Sequence, residues 1–131
     1  GSVRVKIRKQ EGIIMLALFL VLNEVDYLDD ILAKFVEVGV KGATILESQG
    51  MASAMLESAN RGVAMFASLG HLLDNAHPYN KTIFTVLDNE EILEKTVAGV
   101  AEVLKDHNKP GAGFMFTVPI GSVYSLSKLG K

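Results

Sequence analysis

Chemistry is most concentrated in Lys109-Pro110-Gly111-Ala112-Gly113. Small residues let backbone N–H groups come close to an anion, and Lys109 adds a positive charge beside them. The same five residues also suit an ordinary helix-to-strand turn, with Pro110 and Gly111 supplying the geometry. The histidines are His71, His77 and His107, and the first two are six apart rather than the four that pairs metal ligands on a helix. No cysteine completes a ligand set, so they read as loop or helix-end residues and no metal site is expected. Glu90, Glu91 and Glu94 resemble paired catalytic carboxylates. They fall, however, in the first turns of a helical pattern, where acids complement the dipole, and Asp26, Asp29 and Asp30 read the same way. Ser125 stands three residues before Lys128 in a tail-like segment, and no nucleophile–base arrangement is formed. Binding is the expected chemistry, and no catalytic residue is assigned.

The turn must be positioned by regular elements. Ile13–Leu22 is an unbroken apolar run of ten residues, the pattern of a strand buried on both faces and therefore central. Asp26 then offers a helix N-cap. Leu28, Ile31, Leu32, Phe35 and Val36 follow at helical spacing, and Gly39 stops the helix. Ala43–Ser48 reads as a short strand with Thr44, Leu46 and Ser48 on one face. Residues 49–80 are rich in Ala, Ser, Met and Gly and read as a long connection with a helical portion. Connections of that length usually have a role. Met51, Met55 and Met65, with Phe66, Leu69, Leu72 and Leu73, supply adaptable apolar contacts for a core or a partner.

Thr82–Leu87 is the next strand. Asp88 with Glu91 forms a capping-box-like start. Leu93, Val97, Val100 and Leu104 mark the second helix, which ends near His107. Gly113–Ile120 is the last strand, and Pro119 places it at an edge. The order β-α-β, long connection, β-α-β predicts the α+β class. Specifically, it predicts a ferredoxin-like βαββαβ sandwich: an antiparallel sheet with two helices on one face. The first and third strands should be central. The sheet face without helices then needs a partner, which association of protomers would supply.

The 131 residues point to one domain, and 49% are hydrophobic, enough for a core. Ten apolar residues are half of a membrane span, and no small-residue cleavage site follows them, so a cytoplasmic protein without membrane insertion is expected. Net charge is −2, but Arg4, Lys6, Arg8 and Lys9 carry the basic excess, and the chain from Met15 onward carries −5. An acidic body argues against nucleic acid as a partner. Gly1-Ser2 reads as a tag-cleavage scar. Residues 1–14 are accordingly read as a tag remnant or N-terminal extension, and 15–131 as the domain.

Two segments resemble the PII nitrogen-regulatory signal-transduction family. Gly39-Val40-Lys41-Gly42-Ala43-Thr44-Ile45-Leu46-Glu47-Ser48-Gln49-Gly50-Met51 is similar to that family's Gly-x-x-Gly-x-Thr segment running into its T-loop. Lys109-Pro110-Gly111-Ala112-Gly113-Phe114-Met115-Phe116 is similar to its B-loop, usually Lys-x-Gly-Asp-Gly-Lys-Ile-Phe. The layout matches from about Met15 to Val123. The resemblance implies a homotrimer that binds a small-molecule effector, an adenine nucleotide (AMP, ADP or ATP), in clefts between protomers. It places Gly42 and Thr44 near the adenine, Gly50 and Met51 at the T-loop base, and Lys109, Gly111, Ala112 and Gly113 on the phosphate side. It also implies that residues 49–80 dock on a protein target, a transporter or an enzyme.

Departures from the pattern refine these expectations. Ala112 replaces the usual acid, Phe114 the phosphate-binding lysine, and Ser125 and Ser127 two arginines. The connection also lacks the family's tyrosine modification site. A divergent, PII-like regulator with selectivity shifted away from ATP is expected. A small ferredoxin-like enzyme of the isomerase or monooxygenase type would need a polar cluster that only His71 and His77 approach. A trimeric metal-tolerance protein would need better-spaced ligands.

Overall fold

The structure, a computed structural model, describes residues 15–57 and 79–129. Ile13, Ile14 and the basic arm before them lie outside the described residues. So does most of the 49–80 connection, with His71, His77, Met65, Phe66, Leu69, Leu72 and Leu73. Four strands form one antiparallel sheet: β1 (Leu16–Leu22), β2 (Thr44–Gln49), β3 (Tyr79–Leu87) and β4 (Gly113–Pro119). Their order across the sheet is β2-β3-β1-β4, so β1 and β3 are central and the proline-bearing β4 is an edge, as expected. Two long helices, α1 (Leu28–Val38) and α3 (Glu90–Val103), cover one face. A short α2 (Met51–Glu57) follows β2, and α4 (Leu126–Leu129) lies near the C-terminal end. No described helix is long and apolar enough to cross a membrane.

Strand alternation explains where the core lies. Leu18, Leu20 and Leu22 of β1 and Ile83 and Leu87 of β3 point to the helices, where Ile31 and Phe35 of α1 and Val100 of α3 meet them. Each such buried side chain contributes roughly 1.5–3 kcal/mol. Helix α3 packs close to α1 because Gly99 has no side chain: a Cβ there would lie 2.4 Å from Lys34 Cγ. Lys34 runs across that notch to Glu37 at 2.6 Å and Glu102 at 3.6 Å. The edge strands are exposed over most of their length, with Ile45 and Leu46 uncovered on opposite faces of β2.

Several boundaries differ from the sequence expectation. Asp26 is not a helix cap. The chain enters α1 through a 3-10 turn at Val25–Tyr27, so Asp26 already has helical backbone, whereas a capping residue is usually extended. Asn89 rather than Asp88 caps α3; it is extended, and its side chain accepts from the Ile92 N–H at 2.8 Å. Val36 is 76% exposed and so lies off the apolar face of α1. Strand β3 begins at Tyr79, three residues before the expected start, because Tyr79, Asn80 and Lys81 pair with Gln49, Ser48 and Glu47.

Candidate functional site

The Lys109–Gly113 turn links α3 to β4, and two of its glycines are required by geometry. Gly111 has φ of 92° and Gly113 φ of 146°, both in the left-handed region. A Cβ on Gly113 would lie 2.1 Å from the Val21 carbonyl oxygen. The turn is tied to the segment after β1. Asn23 Nδ2 donates to the Gly111 carbonyl at 3.0 Å. The Asn23 and Glu24 N–H groups both donate to the Ala112 carbonyl, at 2.8 and 3.3 Å. Beside them His107 Nε2 lies 3.3 Å from a Glu24 carboxylate oxygen, and its ring packs edge-on against Tyr27. Glu24, Asp26, Tyr27, Asp106, His107 and Lys109 line an open cleft of about 440 Å³ there. Lys109 itself is exposed.

A polar row crosses this end of the sheet. Ser48, at the end of β2, donates to the Asn80 side chain in a short hydrogen bond, and its hydroxyl lies 2.8 Å from that of Thr82. Asn80 Nδ2 donates to Asn23 Oδ1 at 3.1 Å, and Asn23 reaches the turn. Asn80 is 7% exposed although it stands at the end of the long connection. One row further out, Gln49 Nε2 donates to Ser53 Oγ at 3.4 Å. Gly50 and Met51 continue from there into α2, where Met51 is 71% exposed. Among the described residues, none beyond its chain neighbours lies within 4 Å of a Cβ built on Gly50.

Gly42 and Thr44 lie elsewhere, before and at the start of β2. Thr85 Oγ1 donates to the Gly42 carbonyl at 2.5 Å, and Gly42 also has open space at its Cβ. Lys41 and Val123 line a second cleft of about 200 Å³ beside it, with Met15, Leu87 and Ile92. Within one chain, then, Gly42 and Thr44 belong to the β2 edge and the Lys109–Gly113 turn to the β4 edge. Three inter-strand steps of about 4.8 Å each separate those edges, roughly 14 Å. Gly50 and Met51 share the turn's end of the sheet but follow the opposite edge strand. One protomer does not bring the eight candidate residues together.

The residues that depart from the family pattern are occupied otherwise. Phe114 stacks on Phe116 at 6.0 Å, Phe116 on Phe19 at 5.0 Å, and Phe19 on Phe84 at 5.6 Å. These rings form a ladder across the helix-free face. Ser125 and Ser127 are exposed, and their hydroxyls lie 3.0 Å from each other. The sequence reading did not identify Asn23, Asn80 or Ser48 as a unit. The available signal was polar residues flanking apolar strands at Leu22-Asn23 and Asn80-Lys81. Their pairing becomes visible only with the sheet register.

No family model matches this sequence, and no curated relative matches it. Solved structures do match. PII of Arabidopsis thaliana bound to citrate superposes with a TM-score of 0.60 at 11% identity, covering 87% of this chain and 84% of that one. GlnK of B. subtilis superposes with a TM-score of 0.54 at 15% identity, covering 82% of this chain and 85% of that one. The chain has a divergent PII-like fold, and at these identities the likeness is one of fold.

Proposed function

We propose that this chain, with its PII-like fold, is a signalling regulator that binds rather than catalyses. It assembles as a homotrimer and takes a small anionic effector of the adenine-nucleotide class in clefts between protomers. It acts on a partner protein, a transporter or an enzyme, through the 49–80 connection. One observation carries the reading: the candidate residues divide between two opposite edges of a single sheet, neither paired with a further strand among the described residues. Bringing both sets into one cleft takes a second copy of the chain, which supports an assembly whose protomers share their sites. The exposed turn beside Lys109 supports an anionic ligand, and the Arabidopsis neighbour was solved with citrate, a small polyanion. Glu90 and Glu91 are exposed in the first turn of α3, a position that supports a structural role for these acids over a catalytic one.

Isothermal calorimetry with AMP, ADP, ATP and citrate tests the reading on protein whose mass has been set by light scattering. The expected outcome is one ligand per protomer in an oligomer, with binding lost when Lys109 and Gly111 are replaced. A monomer that binds none of the four probes would overturn it.

A further inference from the structure

We infer that Asn23 is the positioning residue of the Lys109–Gly113 turn and that Asn80 and Ser48 hold it in place. The side chains of these three residues thereby link both stems of the 49–80 connection to the turn. The Gly111 carbonyl is taken by Asn23 Nδ2, and the Ala112 carbonyl by the N–H groups of Asn23 and Glu24. Both peptides are trans, and in a trans peptide the carbonyl and the following N–H point in opposite directions. Fixing the two carbonyls toward the β1 side therefore aims the N–H groups of Ala112 and Gly113 away from it, off the β4 edge. Two successive donors facing outward beside Lys109 form the anion-binding side of the turn.

Asn23 can do this only while its amide keeps one orientation. Asn80 supplies that orientation by donating to Asn23 Oδ1, which leaves Asn23 Nδ2 directed at Gly111. Asn80 is in turn fixed by Ser48 across the β2–β3 pair. Ser48 and Asn80 are the penultimate residue of β2 and the second residue of β3, so they stand at the two ends of the connection. Asn80 is almost fully buried, and a buried amide has its orientation set by its partners. A change in the stems that withdraws Ser48 or Asn80 releases Asn23, and with it the carbonyls of the turn.

The assignment of anion binding to the turn rests on the reading proposed above, whereas the positioning role does not, and the test separates them. Amide hydrogen exchange is measured on the full chain for the wild type, Asn23→Ala, Asn23→Asp and Asn80→Ala. Exchange at Asn23 and Glu24, the donors to Ala112, is expected to rise at least tenfold in all three variants, while the Phe19 and Phe84 amides stay protected. The aspartate variant is decisive. It matches asparagine in size and still accepts from Asn80, but cannot donate to Gly111, so a packing role would leave it like the wild type. Wild-type exchange at Glu24 in Asn23→Asp, or in Asn80→Ala, overturns the inference. Calorimetry with ADP and with inorganic diphosphate forms the second arm, in which Asn80→Ala, remote from the turn, is expected to weaken binding about tenfold. If the wild type binds neither probe, the nucleotide reading falls, and the exchange arm still decides the role of Asn23.

Discussion

Gly113 shows how tightly the turn is set by single residues. With φ of 146° and the Val21 carbonyl 2.1 Å from any Cβ, its position excludes a side chain both by conformation and by contact. Gly113→Ala is expected to destabilise the fold by about 2 kcal/mol or more, read as a lower urea midpoint. The ligand preference belongs to the same scale. Phe114 is committed to the aromatic ladder, and Ser125 and Ser127 to each other. Three cations that the family pattern would supply are thus absent from the side proposed for phosphates. Each charge-assisted hydrogen bond is worth on the order of 1.5–3 kcal/mol, so their loss weakens a triphosphate most, because it presents the most charge. AMP and ADP should bind at least as tightly as ATP in calorimetric titrations. A strong, magnesium-dependent preference for ATP would contradict this.

The elements were legible where burial wrote them into the sequence and hidden where polar groups paired across strands. The apolar spacing of Leu28, Ile31 and Phe35 and the unbroken run of β1 both reflect contact with one core, so the order, the central strands and the proline-marked edge could be read directly. Tyr79, Asn80 and Lys81 have no apolar periodicity, because their partners are Gln49, Ser48 and Glu47, the last an ion pair with Lys81. Sequence alone places such residues in a loop, and the candidate site suffered most, since its supporting amides lie there. Caps slipped by one residue for a related reason: Asp88 and Asn89 are both competent, and only backbone geometry chooses between them. Asn89→Ala should therefore cost about 1 kcal/mol and Asp88→Ala little, a difference that denaturant titration resolves. The helix–helix seam has its own signature. Glu37, hydrogen-bonded to Lys34, holds the Lys34 ammonium above the ordinary lysine value of 10.5; burial opposes this, and Glu102 adds to it. A raised folded-state pKa contributes stability that is fully present below the unfolded value and is lost as pH climbs through the folded one. The thermal midpoint should carry that contribution unchanged from neutral pH to about pH 10 and lose it above about pH 10.5. Glu37→Gln should show a smaller loss over the same window.

At the scale of the whole molecule, the helix-free face of the sheet is where the proposed assembly can be tested. Leu46, Val86, Phe114, Phe116 and Val118 are all exposed on it, and Phe19 and Phe84 are only partly covered. A contiguous apolar face of this kind marks an interaction surface. Among the described residues no further strand pairs with the edges beside it, and Val123, Tyr124, Leu126 and Leu129 are exposed near the C-terminal end. An isologous dimer would cover the face but repeat the same contact on both sides. A closed ring would instead set the β2 edge of one copy beside the β4 edge of the next and so supply the second copy that the proposed, divided site calls for. In the proposed function that ring has three members. Light scattering should give about three times the chain mass of 14.1 kDa. Phe116→Asp places a charge in the middle of the aromatic ladder and should bring the mass down to that of a single chain. Val36→Asp, on the exposed side of α1, should leave the mass unchanged. The ligand should follow the assembly: Phe116→Asp retains Gly42, Thr44 and the whole Lys109–Gly113 turn, yet should lose ADP binding because those residues no longer meet across a boundary. A monomeric wild type would refute the ring, and a monomeric variant that still binds ADP with unchanged affinity would place the ligand site within one chain.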